Sequence, residues 1–199
     1  VVDSMGGGIC QGSTTLYNAV LRAELNVTER SPHSMTVHYV DLSEDAAIAG
    51  TYKDFKFVNS TEYPIYIEGY TTSDKKITFN IYGKETRDKN RTISFESQMV
   101  SETPATTILQ EDAGQGIGYK AVSSKGSSGY VAELYKIVKV NGVETDRIKV
   151  NKSTYKGTNR VVTYGTAGDP TLSENLRAAI AAQDEALADA NIAAAVPAQ

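Results

Sequence analysis

Tryptophan is absent from this chain of 199 residues, cysteine occurs once and histidine twice. A single thiol excludes an intrachain disulfide framework and a cysteine-rich zinc site. No apolar run approaches the length of a membrane span. Basic residues are not in excess. Lys and Arg number 20 against 24 Asp and Glu, a formal net charge of −4, so no nucleic-acid partner is expected. The length allows one large domain or two modest ones. Twelve tyrosines without tryptophan suit an exposed, β-rich, polar surface. The chain opens Val1-Val2-Asp3-Ser4, with neither a start methionine nor a signal peptide. That opening reads as a fragment of a longer protein, and the missing signal then says nothing of location.

What is present centres on the one cysteine. Cys10 lies in Gly6-Gly7-Gly8-Ile9-Cys10-Gln11-Gly12-Ser13-Thr14-Thr15. The glycines allow positive φ and close backbone approach. Ser13, Thr14 and Thr15 are cap-type residues, and Leu16–Leu25 has helical spacing of apolar positions. A thiol at a helix N-terminus meets unpaired N–H groups and the positive end of the dipole, which favour the thiolate. One free cysteine with histidine elsewhere is the pattern of a candidate nucleophile. The competing reading is a small buried hydrophobe.

Three regions differ in composition. Residues 1 to about 86 hold the Gly-Cys motif, the helix and strand-like runs at Thr36–Val40, Phe55–Val58, Tyr63–Tyr70 and Lys76–Tyr82. The last two are expected to form a hairpin around Ser73-Asp74-Lys75. Lys84–Arg91 is a charged linker. Residues 91–168 carry strands at Thr92–Ser97, Tyr130–Val140 and Val143–Val150, the last two joined by Asn141-Gly142, a type I′ turn signal. The glycine-rich segments between them suit a thin, extended sheet module. Residues 169–199 are alanine-rich. Thr171 with Glu174 reads as a capping box, and a helix is expected from Leu176 to about Ala195. Its apolar stripe is thin, so a loosely packed or disordered tail is expected in preference to a docked helix.

Residues 6–68 resemble the carboxyl part of a VanW domain. The resemblance rests on Gly6–Gln11, Ser13–Ala19, Glu29-Arg30, Pro32-His33-Ser34, Tyr39-Val40, Asp45-Ala46, Tyr52–Phe57, Asn59 and Tyr63–Ile67. Residues from about 91 to 167 resemble a G5 domain through their β-rich pattern, glycine-rich middle, Asn141-Gly142 hairpin and Val162–Thr166 ending. The fold class this implies is α+β, mostly β: a VanW-like α+β domain (1–86) with one helix after the Gly-Cys motif, an elongated β-sheet G5 module (91–168), then the helical tail (169–199). The resemblance also implies an extracellular bacterial protein of the cell wall or the outer face of the cytoplasmic membrane. Its expected partners are peptidoglycan stem peptides and glycan, with a membrane anchor in the missing upstream part. Some VanW members are reported as L,D-transpeptidases, which work through a cysteine acyl-enzyme. G5 domains are associated with wall and aminosugar-polymer binding. The Ser-His-Gly-Cys motif of YkuD-type L,D-transpeptidases is absent, so any shared mechanism is one of role.

Acyl transfer through a thiol needs a nucleophile, a base and oxyanion donors. Cys10 is the candidate nucleophile. His33, in a loop, is preferred to His38 as the base because loops carry catalytic groups more often. His38, placed in the strand Thr36–Val40, is left as a substrate contact. Asp45 is the candidate to orient the imidazole, against its reading as a turn residue. Gln11 and the N–H groups of Cys10 and Gly12 are candidate oxyanion donors. Gly8, Ser13 and Thr14 are candidate substrate contacts. Arg30 could grip a stem-peptide carboxylate, the alternative being a plain surface arginine. No cofactor is expected. Cys10, His33, His38 and Asp45 lack the spacing of a metal site. The alternative to an enzyme is a non-catalytic wall-binding protein.

Overall fold

The computed structural model describes residues 8–195. In chain order the elements are α1 (Ile9–Arg22), β1 (Asn26–Glu29), β2 (Lys56–Val58), β3 (Tyr66–Thr71), β4 (Ile77–Tyr82), β5 (Arg91–Thr103), β6 (Thr107–Gly116), β7 (Lys120–Ser127), β8 (Gly129–Val140), β9 (Val143–Tyr155), β10 (Thr158–Ala167), α2 (Pro170–Ala181) and α3 (Glu185–Ala195). Among the described residues the protein is mostly β with three helices. It divides into two compact units. One takes in the chain up to Glu102 together with Tyr130–Lys156; the other holds Thr103–Gly129 and the chain from Gly157 on.

In the first unit α1 starts at Cys10's own turn. Gly8 is the N-cap at φ 101°, a left-handed conformation that favours glycine, and no side chain caps the helix. Ser13, Thr14 and Thr15 therefore lie inside the helix and are not its caps. The reason is tertiary: the Ser13 and Thr14 hydroxyls are drawn to the backbone of Ala46. β1 and β2 pair antiparallel, as do β3 and β4. β8 lies between β5 and β9. Asn141 and Gly142 join β8 to β9 with φ of 53° and 80°, the two positive values a type I′ turn needs.

One core joins α1, β1, β5, β8 and β9 in this unit. Tyr17 and Leu21 of α1, Ala46 and Leu134 of β8 are buried together, with Val27, Phe55, Phe95 and Val150 packed against them. The charged stretch 84–91 is thus a break in sequence composition that the core crosses. Thr36–Val40 is not a strand. Its β-forming residues have no partner strand, because β1 pairs with β2. His38 and Tyr39 sit exposed in an irregular loop, 30–47, that side-chain hydrogen bonds hold.

In the second unit β10 lies between β6, parallel to it, and β7, antiparallel. Strands β6 and β7 fill the glycine-rich stretch that sequence patterning left unassigned. The tail is packed, contrary to expectation. Leu176, Ala179, Ile180 and Ala188 are buried with Leu109, Val162 and Tyr164. Small alanines let the helices approach the sheet closely, so a thin stripe suffices. Asp169 is the cap of α2, its carboxylate accepting from the Thr171 and Leu172 N–H groups, and the Thr171–Glu174 box is not used. The expected single helix breaks at Gln183, φ 56°. Its side-chain amide brackets Leu109 of β6, accepting from the N–H at 2.8 Å and donating to the carbonyl at 3.0 Å.

Candidate functional site

Asp45 is the hub of the first unit and is fully buried. Its Oδ1 accepts from Arg30 Nη2 at 2.8 Å and from the Tyr155 hydroxyl at 2.5 Å. Its Oδ2 accepts from the His33 backbone N–H at 2.6 Å and lies 2.7 Å from His33 Nδ1. Burial by itself would raise the carboxyl's pKa. The bonds from the His33 N–H, Tyr155 and the His33 ring, with the Arg30 charge, outweigh it, and the net shift is downward. Asp45 is therefore a carboxylate at neutral pH. An ionised acceptor fixes a hydrogen on His33 Nδ1 and leaves Nε2 on the side of the ring away from Asp45. Nε2 lies 3.5 Å from the Tyr39 hydroxyl, at the outer limit of a hydrogen bond.

Arg30 is no surface arginine. Its side chain is 6% exposed. Nε donates to the Asp45 carbonyl at 2.6 Å, Nη1 to Ser153 Oγ at 2.8 Å and Nη2 to the Ser43 carbonyl at 3.2 Å, besides the ion pair. Each arm is in use, so the guanidinium has no fork to offer a substrate carboxylate. Ser43 N–H donates to the Tyr155 oxygen at 2.7 Å, and Ser43 Oγ donates to the Ala132 carbonyl at 3.0 Å. Strands β8 and β9 thereby build the wall of the site.

Cys10 is partly buried and its thiol points at the Ile48 carbonyl, 3.5 Å away. No hydrogen bond joins Cys10 to His33 among the described residues. Tyr39 lies among both groups. Burial raises its pKa, the Thr14 hydroxyl opposes that, and the charges of Cys10 and Asp45 add to it. Ser13 Oγ is 2.5 Å from the Ala46 carbonyl, and Thr14 Oγ1 accepts the Ala46 N–H at 3.0 Å. Both hydroxyls are buried and anchor the segment that carries Asp45, rather than opening toward a ligand. The Gly12 N–H is used by the Gly8 carbonyl at 2.9 Å, which removes it as an oxyanion donor. Gln11 is exposed, and Gly8 is the helix cap. His38 is exposed and makes no hydrogen bond among the described residues.

A separate cleft of about 920 Å³ opens at the other end of α1, lined by Arg22, Glu24, Tyr63, Phe79, Lys84 and Arg87 among others. Cys10 and His33 do not line it. Glu24 in its lining is held by three cations. Arg91 grips the carboxylate at 2.5 and 2.7 Å and Lys136 at 3.0 Å. The Arg91 bonds, against the opposing effect of burial and with help from Lys136, lower its pKa from 4.5 to about 2. Among the described residues no group of three or more His, Cys, Asp or Glu is placed to hold a metal ion.

A family model described as VanW like protein matches residues 1–82, and one for the G5 domain matches residues 95–167. The chain carries a VanW-like domain followed by a G5 domain. The site described above lies in the VanW-like domain, except for Ala132, Ser153 and Tyr155, which the G5 domain supplies. The G5 domain contributes β5, β8 and β9 to the first compact unit and β6, β7 and β10 to the second. Together the two domains suggest a cell-wall-associated protein.

Over 65 residues the chain is 45% identical to the uncharacterized protein YoaR of Bacillus subtilis (strain 168), a span of 33% of this chain and 22% of that protein. Two solved G5 domains are similar to part of it. The IgA1 protease G5 domain shares 24% identity at a TM-score of 0.31, covering 42% of this chain and 100% of its own. HP0197-G5 shares 20% at 0.24, covering 38% and 97%. No helix among the described residues is long and apolar enough to cross a membrane.

Of the functional groups here, Tyr39, Ser43, Ser153 and Tyr155 escaped sequence reasoning. Tyr39 sits inside a stretch that carries the VanW resemblance, which is a usable signal. Tyr155 is 110 residues from Asp45 and had none.

Proposed function

We propose that this protein is a wall enzyme of the L,D-transpeptidase type, with Cys10 as nucleophile, His33 as base and Asp45 orienting the imidazole. The observation that carries the reading is the His33–Asp45 pair: an imidazole whose Nδ1 is held by a buried carboxylate, with Nε2 on the far side of the ring. Cys10 Sγ attacks a stem-peptide carbonyl and its proton passes to His33 Nε2. The carbon–nitrogen bond breaks, the leaving amine takes that proton, and a thioester remains on Cys10. An acceptor amine attacks the thioester, gives its proton to His33 and restores the thiol as the new amide forms. The Ile9, Cys10 and Gln11 N–H groups of the uncapped first turn serve as the oxyanion donors in this reading. For attack the thiol must turn away from the Ile48 carbonyl.

The second reading is a non-catalytic wall-binding protein, with peptidoglycan or an aminosugar polymer as ligand. It is favoured by that same thiol–carbonyl contact and by the cleft lying elsewhere. Cross-linking of muropeptides by wild type and by Cys10→Ala separates the two. The enzyme reading expects cross-linked product from wild type and none from the variant at an unchanged melting temperature. Equal product from both would end it, and undiminished sacculus binding by the variant without any product would favour the binding reading.

A further inference from the structure

The β3–β4 hairpin presents a second site. Its register sets Tyr66 opposite Tyr82, Glu68 opposite Asn80 and Tyr70 opposite Thr78. Alternation puts these six side chains on one face and Ile67, Ile77, Phe79 and Ile81 on the other. The second face is the supported one. Ile77 reaches Gly12 of α1, and the Phe79 ring lies so close over Gly69 that a Cβ there would come within 2.5 Å of it. The first face is open: Tyr66 is 65% exposed, Tyr82 52% and Tyr70 46%.

We propose that this face binds a neutral pyranose polysaccharide, with Tyr66 and Tyr82 as stacking surfaces and Glu68 and Asn80 as hydrogen-bonding groups. The two rings lie 6.0 Å apart with planes 31° from parallel, so they offer their faces in similar orientation. A pyranose has an apolar C–H face that stacks on an electron-rich ring and equatorial hydroxyl or acetamido groups at its rim. The acceptors stand where that rim would come. Glu68 Oε2 accepts from Asn80 Nδ2 at 2.9 Å and from the Tyr82 hydroxyl at 3.2 Å, which holds all three side chains in place. Glu68 Oε1 and Asn80 Oδ1 make no hydrogen bond among the described residues and remain acceptors for a sugar O–H or N–H. Pre-organisation of this kind reduces the ordering cost of binding. The neighbouring Glu68 charge raises the Tyr82 pKa, which keeps the phenol neutral. The six side chains of the face include one carboxylate and no lysine or arginine, and at one edge Asn80 and Tyr82 border the cleft that Arg22, Lys84 and Arg87 line. The inference is independent of Cys10 chemistry.

The test is titration calorimetry of the full chain with chitotetraose, alongside sedimentation velocity without ligand. Binding is expected, with Tyr66→Ala and Tyr82→Ala each weakening it about tenfold, as loss of a central aromatic contact does. Glu68→Gln weakens it in the same direction, and the two tyrosine variants keep the wild-type melting temperature because those side chains are exposed. Cys10→Ala binds as wild type, so this outcome is separate from the fate of the catalytic reading. No binding to chitotetraose overturns the proposal. So does undiminished binding by the Tyr66→Ala, Tyr82→Ala double variant. Self-association that Tyr66→Ala abolishes also overturns it, since the face would then join two copies of the chain.

Discussion

Tyr155 donates its hydroxyl hydrogen to Asp45 at 2.5 Å although 110 residues separate the two. The bond carries a G5 strand into the hub of the VanW-like domain. It also reaches the candidate base, because the same carboxylate holds His33. Replacing Tyr155 by Phe removes one donor from a buried carboxylate and is expected to cost about 1–3 kcal/mol at pH 7. The loss shrinks in acid, where Asp45 protonates and has less need of donors. Urea unfolding of both proteins at pH 7 and below pH 4 measures the difference.

Arg30 neutralises Asp45 in a place water does not reach. Arg30→Met leaves a buried carboxylate without its cation, and the expected cost is about 3–5 kcal/mol. Asp45→Asn in the same chain restores part of that stability. A double-mutant cycle by chemical denaturation yields the coupling, and strict additivity would contradict the pairing.

Glu24 gives a pH prediction. Its carboxyl titrates at about 2 in the folded chain, against 4.5 as an ordinary side chain. A depressed folded value means stability that is present above the unfolded value and lost as pH falls toward the folded one. The contribution should thus fade between about pH 4.5 and pH 2. Glu24→Gln, which is uncharged throughout, is expected to cost about 2 kcal/mol at pH 7 after allowance for screening and almost nothing near pH 2. Thermal melts across that range follow it. Asp45 acts in the same sense, its part fading below the unfolded carboxyl value of about 3.9.

The shared core predicts that the VanW-like domain does not stand alone. Leu134 and Val150 from the G5 domain pack with Tyr17 and Leu21. Leu134→Ala is expected to cost about 2–5 kcal/mol. A chain ending at residue 90 loses those partners and should show no cooperative unfolding transition. A sharp two-state melt of that fragment would contradict the shared core.

The legible parts of this protein were the local ones. The β3–β4 and β8–β9 hairpins followed from alternation and turn residues, and α1 from its apolar spacing. Residue type and loop position point to His33 and Asp45 from the sequence alone, because both are written locally. What was not legible depended on partners distant in sequence. Thr36–Val40 has strand composition but no strand to pair with. Ser13 and Thr14 have cap chemistry but bond Ala46 instead. Arg30 looked superficial because Ser43 and Ser153, which surround it, come from elsewhere in the chain. The tail's thin stripe gave no hint of Leu109, Val162 and Tyr164, the surface that buries it.

The most direct measurement of the central claim is the intact mass of the full chain after incubation with a tetrapeptide-stem muropeptide and rapid acid quench. The account expects an added mass equal to the acyl portion of the stem, located on the Cys10 peptide and absent from Cys10→Ala. It also expects that adduct to form more slowly in His33→Ala. A chain that binds the muropeptide yet never gains mass, with Cys10 unmodified, would contradict catalysis and leave a wall-binding protein.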